Sequence, residues 1–271
     1  MLPKDARPIA FVHLMKTGGQ TMRAILRKNF GAGHCDMLLF EETRERDWRW
    51  IRLCYPGLSS ISGHGMVTGI KGFEKRFPHA RYFTILRDPI DRAISHYQFL
   101  LNGGHRVPAF PDWLHENANY MTRKLAGEVN AAKAIETLEE KIGFVGFVET
   151  YDESLVMWKR WVGAPSLDIT YQSVNRAKSD HVRKEILTGD TSRERIAAFH
   201  EGDMQVWNHA ITTIKERQRS EYGPALGADL EAFRLDCTTA TNQNRGSTAA
   251  KLKRNLLYRR GVRKANDNPY K

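Results

Sequence analysis

With 271 residues, 41% of them hydrophobic and 10% aromatic, the chain can bury a substantial core and suits one large domain, or one domain with an appendage. No apolar run approaches the ~18 residues of a membrane span, and the opening MLPKDARPIAF lacks the apolar stretch of a signal peptide, so a cytoplasmic location is expected. Cys35, Cys54 and Cys237 are odd in number and far apart, which excludes a disulfide framework and argues against a zinc site. The net charge of +11 invites a nucleic-acid reading, but its distribution does not support one. Arg245 to Lys271 holds nine Lys or Arg and one acidic residue, a net of +8, and leaves +3 for the rest. This basic C-terminal extension, 245–271, is separate from the expected domain over 1–244. Three readings of it stay open: a solvated end, a surface for polyanions or an acidic membrane face, or a short amphipathic helix packed on the body through Leu252, Leu256 and Leu257.

Helix and strand signals alternate along the chain. Ile9–Leu14 reads as a buried strand, Lys16, Thr17, Gly18 and Gly19 as a loop, and Met22, Ile25, Leu26 and Phe30 recur at helical spacing. Glu41–Arg52 reads as a helix, and Ser60–Gly63 as a short strand ending in a loop at His64. Arg81–Leu86 is β-prone and apolar. Asp88-Pro89 starts a helix, with Asp as N-cap and Pro at the first helical position, running to about Leu101. Two helices follow, over Asp112–Leu125 and Ala131–Lys141, then a strand over Gly143–Val148 and a helix over Asp152–Val162. Ser192–Thr213 holds further helix. Strands separated by helices predict an α/β fold of three layers, with a mainly parallel central sheet flanked by helices. Ligands of such sheets sit at the carboxyl ends of the strands, which brings Lys16, His64 and Arg87 together.

Strand, glycine loop and helix in that order build an anion site, because the first amides of a helix lack intrahelical partners and glycines let a ligand approach them. Lys16 adds a full positive charge. The loop does not follow G-x-x-x-x-G-K-[ST]: its Lys precedes its glycines, and no paired carboxylates for magnesium are evident. It therefore predicts a phosphate without nucleoside-triphosphate chemistry. A second phosphate signal runs from Arg87 to Ser95 (RDPIDRAIS), where an Arg fork leaves a strand tip and a hydroxyl follows two turns into the next helix.

H-x-x-K-T-G-G with a following hydroxyl, together with R-D-P-x-x-R-x-x-S-x-Y, resembles the sulfotransferase superfamily, which uses 3′-phosphoadenosine 5′-phosphosulfate (PAPS). The resemblance continues through Ser62–Gly65, Asn119–Gly127 and Phe144–Leu155, spans roughly Ile9 to Ser179, and is nearest to the carbohydrate branch that includes uronosyl 2-O-sulfotransferases and bacterial relatives. It implies transfer of a sulfuryl group from PAPS to an acceptor hydroxyl on a saccharide, without a metal. It implies that Lys16 meets the oxygen bridging sulfur and phosphorus, and that Thr17, Gly18, Gly19, Gln20 and Thr21 wrap the 5′-phosphate. Arg87 and Ser95 would hold the 3′-phosphate, Ser179 a late cofactor contact with Tyr171 as a weaker candidate, and His64 the base. In that branch a His-Gly-His segment supplies the base; here Ser62 stands at the first His. Met15 replaces the usual Pro and Gln20 a common Thr.

Each residue also has a plainer reading. His64 could cap a glycine turn, and Lys16 with its glycines could be an ordinary strand-to-helix connection. His13 is the second choice for a base, its strand position favouring a core or bracing role. Arg92 reads as a solvated helix residue, Arg123 as either an acceptor contact or an exposed charge, and Trp158 and Trp161 as core. Two rival functions remain: a P-loop-type nucleotide or small-molecule kinase, and a non-catalytic polyanion binder acting through the tail.

Overall fold

The computed structural model describes residues 7–37, 44–172, 181–188, 193–239 and 252–259. Its centre is a five-stranded sheet: β1 (Ile9–Val12), β2 (His34–Asp36), β3 (Ser60–Gly63), β4 (Arg81–Leu86) and β5 (Ile142–Phe147), in the order β2-β3-β1-β4-β5. Every pairing is parallel, as the alternation of strand and helix predicts. Strands covered on both faces read as continuous apolar runs, which is why IAFV and RYFTIL are legible without a period.

Alternation along each strand sorts side chains onto two cores. Ile9, Phe11, Phe83, Ile85 and Phe144 face one layer, formed by α1 (Gly19–Phe30), α8 (Tyr151–Val162) and α13 (Leu226–Thr239). Ala10, Val12, Ile61, Tyr82 and Val145 face the other, where α2 (Arg44–Cys54), α3 (Lys71–Arg76), α6 (Tyr120–Ala126), α7 (Ala131–Glu140) and α11 (Glu201–His209) pack. Trp158 is fully buried against Phe83, so it is core as expected, while Trp161 carries the Arg81 guanidinium 4.0 Å over its ring. A third apolar cluster joins α4 (Pro89–Asn102), α5 (Phe110–Glu116), α9 (His181–Thr188) and α10 (Arg193–Phe199).

Several elements depart from the sequence reading. Residues 41–43 of the Glu41–Arg52 helix lie outside the described residues, and the helix continues to Cys54. The single helix expected over Asp112–Leu125 is two, α5 and α6, broken at Asn119 with φ 52°. Buried Asp203 caps the second, accepting the amides of Met121 (3.1 Å) and Thr122 (2.7 Å) and the Thr122 hydroxyl. A residue 81 and 82 positions from the amides it accepts starts the second helix, which no local pattern encodes. Beyond α11 the helix continues through a π-helical turn, Ala210–Ile214, into α12 (Lys215–Tyr222). The three-residue edge strand β2 is too short to show a period.

Part of the basic extension is described. A helical turn at Lys253–Tyr258 lies against the body with Tyr258 fully buried, whereas Leu252, Leu256 and Leu257 are 58%, 41% and 60% exposed. An aromatic residue and two basic ones make the contact, not the leucines. Among the described residues no helix is long and apolar enough to cross a membrane.

Candidate functional site

The site grows from the order of the strands. β1 lies between β3 and β4, with Val12 paired to Gly63 on one side and Thr84 on the other. The loops that leave these three strands therefore emerge side by side, carrying Lys16, His64 and Arg87. Strand order reverses here, since β1 connects outward to β2 while β4 and β5 continue the other way, and ligands of open parallel sheets bind at such a point.

The loop after β1 is held in an uncommon backbone form. Lys16 has φ 67° and Gly18 φ 73°, both left-handed. The Thr17 hydroxyl, fully buried, donates to Leu14 O at 2.9 Å, Tyr151 Oη donates to Gly18 O at 3.0 Å, and the Met15 amide donates to Tyr120 Oη at 3.2 Å. Helix α1 begins at Gly19, and the amides of Thr21 and Met22 already return to Gly18 O. Glycine is required twice. A Cβ on Gly18 would lie 2.7 Å from the Tyr151 ring, and one on Gly19 only 1.7 Å from His13 Nε2. His13 cannot yield, because its ring is stacked between Phe11 (centroids 5.1 Å) and His64 (4.1 Å). Gly19→Ala is expected to destabilise the fold by about 1–3 kcal/mol through overpacking, read by chemical denaturation.

Lys16 is half-buried, and its ammonium lies 4.4 Å from the centre of the Phe99 ring. Burial, and then the neighbouring Arg87, lower its pKa from the ordinary lysine value. Among the described residues no carboxylate pairs with it. Arg87 reaches across from the end of β4 and donates from Nη1 to Lys16 O at 3.2 Å. The carboxylates near Arg87 are engaged elsewhere: Asp88 with Arg193 (3.3 Å), and Asp91 with Arg193 (3.1 Å) and Arg183 (3.0 Å). Glu149 accepts the Asp88 amide at 2.9 Å. Two cations thus stand together without a direct counter-ion among the described residues, which is the electrostatic form of an anion site. Asp88 is the helix N-cap that its position before Pro89 implies, accepting the Asp91 amide at 2.9 Å. Ser95 is half-buried on α4, one turn beyond Asp91 on the same helix face.

His64 is placed and polarised by the backbone. Its Nδ1 lies 3.2 Å from His13 O, and a carbonyl can only accept, so Nδ1 carries the proton and Nε2 keeps the lone pair. Burial, then the charges of Arg23 and Lys124, lower its pKa below the ordinary histidine value, although the bond to His13 O opposes this. The imidazole is neutral, with a basic nitrogen. His13 itself is 4% exposed with an unpartnered Nδ1, and burial followed by His64 keeps it neutral well below the usual range. It braces the loop, as its strand position suggests.

Three supports were not legible in the sequence. Buried Lys124 of α6 donates to His64 O, fixing the His64 backbone from the carbonyl side. Tyr120 and Tyr151 hold the loop from opposite layers. Each lies within a stretch that carries the family resemblance, but no spacing rule singles it out. Arg92 contradicts its sequence reading: it is fully buried rather than solvated, 4.7 Å from the Tyr120 ring centre, because α4 turns this residue inward onto α6. Arg123 is exposed and its guanidinium donates to Ala118 O. Gln20 is exposed, Thr21 half-buried on the first turn of α1, and Tyr171 donates to Asp152 Oδ1 at 2.8 Å. Ser179 lies outside the described residues. A groove of about 770 Å³ between α8, the 163–170 loop and α13 is lined by none of the residues expected in the site.

No family model matches the chain, and no curated protein matches it. Among solved structures, the crystal structure of a sulfotransferase from Alicyclobacillus acidocaldarius is similar at 15% identity, covering 79% of this chain and 100% of that one, with a TM-score of 0.47.

Proposed function

We propose that the protein is an enzyme that transfers a sulfuryl group from 3′-phosphoadenosine 5′-phosphosulfate to the hydroxyl of a saccharide. The observation that carries this reading is that three groups stand on the loops leaving the carboxyl ends of three adjacent strands, β3, β1 and β4. They are a half-buried lysine without a carboxylate, an arginine beside it, and a neutral histidine whose Nε2 is its lone-pair nitrogen.

The residues present fit the nucleotide. Gly18 and Gly19 let the loop pack against Tyr151 and His13 and turn directly into α1, whose first amides can receive an anion, and Lys16 and Arg87 stand beside it without a direct ion pair among the described residues. Bound there, the nucleotide supplies an activated sulfuryl group on a phosphate leaving group. The chain's own residues do the rest. Gly18, Gly19 and the first turn of α1 with Gln20 and Thr21 would receive the 5′-phosphate; the Thr17 hydroxyl is committed to Leu14 O, so Thr17 would contribute its amide. Arg87 and Ser95 would receive the 3′-phosphate. Lys16 would hold positive charge where the leaving oxygen becomes negative, and His64 Nε2 would take the acceptor's hydroxyl proton. The proton then rests on an imidazolium whose Nδ1–H is already paired with His13 O, so the ring need not turn.

The test is calorimetric titration with 3′-phosphoadenosine 5′-phosphate (PAP) in EDTA, with AMP and ATP as controls. Saturable binding that AMP does not match is expected; equal affinity for AMP and PAP, or no binding, overturns the reading. Arg87→Ala should weaken PAP by about 10–150-fold, the loss of a charged hydrogen bond worth about 1.5–3 kcal/mol, while AMP affinity changes little.

A further inference from the structure

The basic C-terminal extension reaches the base from behind. Asp36, at the carboxyl end of edge strand β2, is 1% exposed yet fully charged, because His34, Arg23 and Arg27 outweigh the burial that opposes ionisation. Its Oδ1 accepts from Arg23 Nε (2.9 Å), His34 Nε2 (3.1 Å) and Ser62 Oγ (3.2 Å). Its Oδ2 accepts from Arg27 Nε (2.7 Å) and from Arg254 Nη1 (3.5 Å), 218 positions along the chain. His34 in turn meets Ser60 Oγ at 2.7 Å. Serine, histidine and aspartate in this order have the form of a hydrolytic relay, but Ser60 and Ser62 are 0% exposed and no substrate can reach them. The network supports rather than reacts.

What it supports is the turn that carries His64. Ser62 lies two residues before it, and Ser62 O accepts the Met37 amide at 2.6 Å. At Gly63 (φ 155°) a Cβ would lie 2.7 Å from Met37 O, so the backbone of the turn is pressed against the residue after Asp36. The C-terminal segment closes over this edge at three points. Arg254 meets Asp36, Lys253 donates to Ala32 O at 2.9 Å while its ammonium lies 4.3 Å over the Tyr55 ring, and buried Tyr258 meets Tyr55 edge-on at 5.7 Å.

We propose that residues 252–259 form a strap belonging to the catalytic body, and that Arg254 is a positioning residue acting through Asp36 and Ser62 on His64. The inference rests on the sulfuryl-transfer reading for the base role of His64. The physical reason is that the strap completes the cover of a buried carboxylate: Arg23, Arg27 and His34 keep Asp36 charged, but without the strap water enters on its Oδ2 side and loosens the hydrogen bonds that hold Ser62. A misplacement of about 1 Å at a base is worth up to about 100-fold in rate. His64 is faced by His13, His96, Lys124 and Arg23; Arg23 shares Asp36 with Arg254, so an altered His64 titration would report the changed setting of Asp36 and Arg23 together with hydration of the turn.

The test uses the full chain, Arg254→Ala, Arg254→Lys, and a chain ending at residue 251. Each is titrated with PAP, and the His64 ring is followed by nitrogen-resolved NMR against pH in the free protein and again with PAP added. Release of PAP from PAPS is measured with p-nitrophenyl glucuronide as acceptor probe. Wild-type PAP affinity is expected in Arg254→Ala, with the His64 pKa moved up toward 6.5, PAP release slowed about 10-fold, and partial recovery in Arg254→Lys. An unchanged His64 titration and unchanged rate in Arg254→Ala overturn the proposal, whether or not the shortened chain folds. Failure of the full chain to bind PAP would instead overturn the sulfuryl-transfer reading and leave the His64 titration to judge the strap.

Discussion

His64→Ala is expected to lower the rate of PAPS turnover by about 10²–10⁴-fold, the contribution of a positioned general base, while PAP binds with unchanged affinity. The two halves of this result separate the base from the nucleotide site, because His64 sits on the β3 side of the loop and Arg87 on the β4 side. The pH dependence follows from the same geometry. Burial, Arg23 and Lys124 depress the His64 pKa, and the base works only when neutral, so the acidic limb of kcat should lie below pH 6.5. Activity should therefore persist to lower pH than an unperturbed histidine base would allow, and in His64→Ala the limb should vanish. Turnover measured with a uronic-acid oligosaccharide across pH 5–9 checks both statements. Wild-type turnover in the variant would remove His64 as the base.

Lys16→Ala should lower kcat by about 10²–10³-fold, the usual loss when one preorganised donor is removed from a site of developing charge. The substitution isolates the charge. Position 16 already holds a non-glycine residue at φ 67°, so alanine adopts the loop with no new backbone penalty, and the Tyr151, Tyr120 and Thr17 contacts that hold the loop stay in place. PAP affinity should fall by much less than kcat, because the ammonium is worth most when the leaving oxygen gains its charge. Lys16→Arg should not restore the rate, since a planar fork cannot take the place of a point charge packed 4.4 Å from the Phe99 ring centre. Equal losses of kcat and PAP affinity in Lys16→Ala would make the lysine a ground-state phosphate contact.

The parts of this protein written in local pattern were readable without a structure. Apolar runs marked β1 and β4, an Asp-Pro pair marked the start of α4, and a lysine–glycine stretch marked the loop between β1 and α1, because each is a property of a few adjacent residues. The meeting of Lys16, His64 and Arg87 followed from one rule about parallel sheets and needed only the strand ends. Tertiary structure decided what supports them. Lys124 on His64 O, Tyr151 on Gly18 O, Asp203 on the break between α5 and α6, and Arg254 on Asp36 join residues 60 to 218 positions apart. Such contacts leave no period and no composition bias, and each is made possible by where two distant segments pack. For the same reason Arg92, polar and within a motif, read as solvated when α4 in fact turns it inward, and the +8 tail read as an appendage although one tyrosine within it is fully buried in the body. Charge and hydropathy determine which residues can face water; only the packing of distant segments determines which ones do.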